Sequence, residues 1–176
     1  MSKMYRIIIL IFTVVWLISG CTSPKRYARN DYSFYRSNFK LDSTALLHTD
    51  GVYVLEKIVT DQNRDKQEGL KEKKVYKFYP TGQVNMVIDD NLIASRGTLF
   101  EGYYRINNNK LVIQSVNQPL RQFYYSYAYI TNQQMVIVLK THLGRGKMKD
   151  KYYHSSYKEY YRFEPNSNRD YTIPGW

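Results

Sequence analysis

Side chains able to do chemistry are few in this sequence, and their spacing argues against most reactions. The three histidines, His48, His142 and His154, are scattered, and no two stand at the helical spacing by which histidines share a metal ion. His142 and His154 fall in one long connection and could approach each other there, although exposed loop histidines are usually inert. No Gly-x-Ser-x-Gly occurs, so no serine comes with the surroundings that make it a nucleophile. Gly144-Arg145-Gly146-Lys147 begins like a phosphate-cradling loop, but it lacks the full spacing and no helix follows. Asp89-Asp90 pairs two carboxylates, as glycosidases do; consecutive residues at a strand end, however, point to different sides. The sequence therefore offers no catalytic residue, no metal set and no cofactor site.

Cys21 has the most distinctive setting and is the only cysteine. Lys3 and Arg6 precede an apolar run from Ile7 to Ile18 broken only by Thr13, and Ser19 and Gly20 follow. The run of about twelve residues suits a signal peptide and falls short of the roughly 20 that span a bilayer. Leu17-Ile18-Ser19-Gly20-Cys21 resembles the lipobox of bacterial lipoproteins. That resemblance implies a diacylglyceryl group on the Cys21 sulfur, cleavage of residues 1–20 and acylation of the new amine. One chain holds a protein only reversibly, but each buried CH₂ adds ~0.8 kcal/mol, so several chains anchor it. An ordinary signal peptide, or an uncleaved anchor, is the competing reading. Thr22 stands where Asp would favour the inner membrane in Gram-negative lipoproteins. By that resemblance the expected address is the outer membrane, and the lack of an acidic cluster after Cys21 points to its periplasmic face.

Once Cys21 is lipidated no thiol remains for a disulfide or a thiolate metal site. Stability must come from an ordinary core, for which a chain of this length suffices. The net charge of +11 falls to +9 when Lys3 and Arg6 leave with the signal. For an exported lipoprotein the acidic neighbours are lipid head groups, lipopolysaccharide phosphates or acidic glycans rather than nucleic acid. Arg145, Lys147, Lys149 and Lys151, flanked by Lys140 and Lys158, are the candidates for contact with such an anionic surface. A lysine-rich loop that merely keeps the protein soluble is the plainer alternative.

Tyrosine is abundant, at 19 residues. Its ring is apolar and its tip polar, which suits ligand contacts and wet interfaces, though it is also a good strand former. Tyr104, Tyr125, Tyr127 and Tyr129 are the candidates for ligand or partner contact. Rings that simply fill a barrel are the structural alternative.

The elements that must position these residues are strands. Val-, Ile- and Tyr-rich stretches predict strands over 51–60, 74–79, 83–89, 98–106, 110–116, 121–131, 134–140 and 157–163. Pro80-Thr81-Gly82 and Asn107-Asn108-Asn109 supply turns between them. Two long connections, 61–73 and 141–156, interrupt the series, and Asp42 to Leu47 has room for one capped helical turn. The fold class is all-β: an eight-stranded antiparallel meander closing into an up-and-down barrel, with a curled sheet or two-sheet sandwich as alternatives. The expected organisation is a cleaved signal helix at 1–20, a flexible lipid-anchored tether at 21–44, the barrel at 45–165 and a tail at 166–176. Aromatics at Tyr27, Tyr32, Phe34, Tyr35 and Phe39 have the means to clip the tether to the domain.

Over residues 45–165 the layout resembles the lipocalin-like lipoproteins of Gram-negative envelopes. The likeness rests on Gly51-Val52-Tyr53, Lys77 to Val84, Gly102 to Ile106 and Tyr160-Tyr161-Arg162-Phe163, with Tyr53 where lipocalins carry Trp. It implies a barrel whose first long loop covers the open end. The expected function is a non-enzymatic envelope module that binds a small apolar or amphipathic ligand, or an envelope partner. A structural or assembly accessory without a ligand is the alternative.

Overall fold

The computed structural model describes residues 27–60, 73–87, 100–117, 120 and 122–165. Cys21, the signal segment, Asp89-Asp90, nearly all of the first long connection and the C-terminal tail lie outside the described residues. Eight strands form one closed antiparallel barrel in sequence order: β1 (Gly51–Val59), β2 (Val75–Phe78), β3 (Gln83–Val87), β4 (Phe100–Asn107), β5 (Lys110–Asn117), β6 (Gln122–Ile130), β7 (Gln134–Thr141) and β8 (Lys158–Pro165). Ring closure is by β8 on β1, from Gly51 opposite Pro165 to Val59 opposite Lys158. Closure removes the exposed edges that an open sheet of Val- and Tyr-rich strands would present.

The two ends of the barrel differ. At one end the chain reverses through tight turns at 79–82, 108–109 and 131–133. Gly82 and Asn108 adopt the left-handed conformation there, which glycine and asparagine tolerate best. At the other end three of the four connections, 60–74, 88–99 and 142–157, are long.

Inward-facing side chains form the main core. Tyr53, Leu55, Tyr76, Phe78, Val84, Tyr104, Leu111, Ile113, Ala128, Ile130, Met135, Ile137 and Tyr161 are buried together. Gly102 also faces in, and a Cβ on it would stand 2.3 Å from the Gln114 carbonyl oxygen, so only glycine lets β4 and β5 approach so closely.

Two bulges reset the alternation. In β7, Ile137 faces Ala128 and Leu139 faces Tyr127, which leaves Val138 as the extra residue. In β1, Leu55 faces Tyr161 and Lys57 faces Tyr160, with Glu56 extra. An extra residue flips every side chain beyond it to the opposite face. Lys140 therefore points inward and Leu139 outward; beyond Glu56, Ile58 points inward and Lys57 lies over the Tyr160 ring.

The segment from Tyr27 to Leu47 runs along the barrel as a belt. Tyr27 and Tyr32 pack edge-on against Phe123, and Tyr32 and Tyr35 against Tyr103. Phe34 is buried over Tyr125, and its backbone N–H donates to Gln114 Oε1 at 3.0 Å. The belt then turns under the tight-turn end, where Phe39 meets Tyr104 and the Leu41 N–H donates to the Pro80 carbonyl. The stretch after it holds a single turn, not a turn of helix. The Asp42 carboxylate accepts from the Thr44 N–H and hydroxyl, each at 2.8 Å, so the side chain closes the turn and no helix follows before β1.

Candidate functional site

The inward face at the long-loop end carries a polar network. Bulging at Val138 brings Lys140 opposite Ser126, while simple alternation along β8 places Glu159 and Tyr161 inside. Lys140 Nζ donates to both carboxylate oxygens of Glu159, at 2.8 and 2.7 Å. The Tyr161 hydroxyl donates to Oε2 at 2.6 Å, and the Tyr157 hydroxyl donates to Oε1. Tyr76 packs edge-on against Tyr161 and is hydrogen-bonded to it and to Ser126.

Electrostatics here is decided by burial against pairing. Glu159 is 1 % exposed. Burial alone would raise its pKa, but the Lys140 ammonium and the two phenol hydroxyls outweigh that and hold its carboxyl below the ordinary carboxylate value. Burial pulls the Lys140 ammonium down against the attraction of Glu159. The Tyr76 and Tyr161 phenols are pushed well up, chiefly by desolvation. Four donated hydrogen bonds occupy the Glu159 oxygens, so the carboxylate is a poor proton acceptor. The arrangement holds a charge in place rather than preparing it to react.

Beside the network lies a cavity of about 180 Å³. Val84, Met86 and Ile113 give it an apolar wall, and Ser126 and Lys140 a polar one. Small inward residues make the space: Gly102, Ser115 and Ser126 stand where larger side chains would fill it. Its size is close to the roughly 150 Å³ of apolar cavities that take up benzene, and below the roughly 300–1,000 Å³ typical of drug-sized sites. A small ring or a chain end fits; a whole lipid does not.

The candidates from sequence are placed elsewhere. Tyr104 faces inward at the tight-turn end, where its hydroxyl donates to the Tyr79 carbonyl at 2.8 Å, and it does not line the cavity. Tyr125, Tyr127 and Tyr129 face outward, on the far side of the wall. Tyr125 lies under Phe34, Tyr127 under Tyr152 and Tyr153, and Tyr129 against Tyr153. Arg145, Lys147, Lys149 and Lys151 are exposed on the 142–157 connection, which folds down over the outer face. Arg145 and Lys147 line an open groove with Arg105 and Asp31. The Gly144-Arg145-Gly146 turn is a packing device: all three residues are left-handed, and a Cβ on Gly146 would stand 2.2 Å from the Phe34 ring. His142 lies near Tyr124, His154 is near Asp150, and His48 stacks on Phe163.

The residues that alternation alone did not single out are Lys140 and Glu159 as an inward pair, with Tyr76, Tyr157, Tyr161 and Ser126. Strict alternation from Met135 and Ile137 would send Lys140 out to solvent. The one signal in the chain is that a charge of each sign falls near the same end of two neighbouring strands. Comparison with family models, with curated proteins and with solved structures finds no match to this chain.

Proposed function

We propose that this protein is a lipid-anchored module of the bacterial cell envelope, held through Cys21, that binds the apolar end of a small amphipathic molecule inside its barrel. The cavity carries the reading, because it combines an apolar wall of Val84, Met86 and Ile113 with Ser126 and Lys140 on the other side. A ring or short chain occupies the apolar part. A hydrogen-bond acceptor on the ligand then meets Lys140, whose ammonium has three donors of which Glu159 takes two. Because Glu159 already balances the charge of Lys140, a neutral acceptor such as a carbonyl or hydroxyl suits the site better than a full anion.

Native mass spectrometry of the chain from residue 22, exported without its anchor and purified without detergent, tests this. An added mass that is lost on denaturation, and is absent from Ser126→Leu, supports a ligand in the cavity. A bare mass that stays bare after exposure to envelope lipid extracts would remove the carrier reading. The alternative of an assembly accessory without a ligand would then be left, and capture of partners with the anchored chain would be the next step.

A further inference from the structure

We propose that the outer groove between the belt and the 142–157 connection is an anion site that takes a phosphate monoester group, held by Arg105, Arg145, Lys147 and the Gln114 carboxamide. The site lies on the opposite face of β5 from the cavity, and three observations support it.

The first is uncompensated charge. Arg105, Arg145 and Lys147 line the groove with one acid, Asp31, and the Asp31 carboxylate already accepts from the Ala28 N–H at 2.8 Å. From Gly102 to Lys149 the sequence contains no aspartate or glutamate, and between Thr22 and Leu41 it contains Asp31 alone. The strands and the connection that build the groove therefore bring no counter-charge of their own. Among the described residues, none of the three cations is in an ion pair.

The second is a fixed floor. The Arg105 guanidinium lies 4.3 Å over the Phe34 ring, and its Nη2 donates to the Ser33 carbonyl at 2.6 Å. Its Nε is buried without a hydrogen-bond partner. Burial and the neighbouring Arg36 charge pull its pKa below the ordinary guanidinium value, the sign of a cation short of an anion. Beside it Gln114 is 1 % exposed. The Gln114 Oε1 accepts from the Phe34 N–H and the Ser33 hydroxyl, at 3.0 and 3.2 Å, which leaves its NH₂ to donate at the groove.

The third is strain. Arg145 is left-handed, with φ 48° and ψ 36°, a conformation that suits glycine or asparagine. The glycines on either side of it are explained by the rings they touch. Arg145 is exposed, so packing gives no reason for an arginine there. Strain retained at an exposed residue that lines a groove points to a task for its side chain.

Three cations facing one carboxylate call for a dianion. A phosphate monoester carries a charge of about −1.5 to −2 at neutral pH, and guanidinium forks match its oxygens; a carboxylate would supply one charge only.

The test uses the full chain in a neutral detergent, titrated by calorimetry with inorganic phosphate, glucose 6-phosphate and acetate. One saturable site per chain is expected for either phosphate, with acetate about tenfold weaker or more. Arg145→Gly should weaken phosphate about tenfold while leaving the thermal midpoint unchanged or higher, because the strained residue is gone. Lys147→Gln should weaken it several-fold. Arg105→Lys, which keeps the charge but not the fork, should do the same.

Phosphate that never saturates, or acetate that binds as tightly, overturns the proposal. If Arg145→Gly fails to fold, Lys147→Gln decides, since that side chain is exposed; unchanged binding there overturns it. Loss of phosphate binding in Ser126→Leu would place the anion in the cavity and also overturn it. Glucose 6-phosphate binding more tightly than inorganic phosphate would show that the group is carried on a larger molecule lying along Phe123 and Met148. Equal affinities would make free phosphate the ligand, and both results uphold the site.

Discussion

The two ends of this barrel are made by the same eight strands and solved differently. At the tight-turn end Tyr53, Phe78 and Tyr104 pack ring against ring, Phe39 closes over Tyr104, and the Tyr104 and Tyr53 hydroxyls each satisfy a backbone group. At the long-loop end small residues leave a cavity, and a bulge turns a lysine inward to meet a buried glutamate. One end maximises burial. The other retains a space and a fixed charge, at the end where three long connections gather.

The largest effect expected from breaking this contrast is at the tight-turn end. Tyr104→Ala removes a fully buried ring with Phe39 and Phe78 against it and should cost about 3–5 kcal/mol in a denaturant titration. Next is Lys140→Met, which leaves Glu159 as an uncompensated buried carboxylate. A cost of about 3 kcal/mol is expected, most of it recovered by adding Glu159→Gln. A double variant no more stable than the single one would mean that the pair is not coupled.

A sharper comparison uses two inward positions on β6 separated by one residue. Ala128 is fully buried in the packed core, so Ala128→Leu should cost about 1–3 kcal/mol by overpacking. Ser126→Leu has a cavity to enter and loses only its hydrogen bond with Tyr76, so it should cost about 1 kcal/mol, without an overpacking term. Equal losses would show that the cavity is not there to be filled.

The smallest effects are in pH dependence. Glu159 has its folded pKa depressed, so its contribution is present above its ordinary value near 4.5 and is lost as pH falls through the lower, folded value. Acid should therefore weaken the long-loop end, and Glu159→Gln should flatten the acid limb of a stability profile. Buried phenols behave in the opposite sense. Tyr53, at the tight-turn end, is pushed up to about 12, and Tyr76 and Tyr161 are also raised, in each case mainly by desolvation. Their contribution is present below the ordinary phenol value of 10 and is lost as pH rises above it. Alkali should weaken both ends, and ultraviolet titration of phenolate should follow unfolding.

The strand series was legible because half-buried antiparallel strands alternate and their turns use Pro, Gly and Asn. Each predicted strand lies within about two residues of an observed one. The site was not legible in the same way. Alternation assigns faces only while it is unbroken, and the Val138 bulge sits between the apolar part of β7 and Lys140. The tyrosines of β6 misled for a related reason. Outward positions on a bare barrel would be free for contact, but the belt and the 142–157 connection bury Tyr125 and Tyr127. The belt itself has no periodicity to detect, because its aromatics pack on rings 65 to 96 positions away. Only their number, from Tyr27 to Phe39, signalled that this segment was more than a spacer.

The belt also determines how the molecule carries mechanical load. A pull on the N-terminus reaches Tyr27 first, then Tyr32 and Phe34, then Phe39 and Leu41, and only afterwards β1. These aromatic contacts open one after another, as in peeling, so the force at any moment is borne by one or two rings. Strand β1 is hydrogen-bonded along both edges, to β2 and β8, and would be loaded last, in shear. Tension on the N-terminus is thus dissipated in small steps along the outer wall before it reaches the strand that closes the ring.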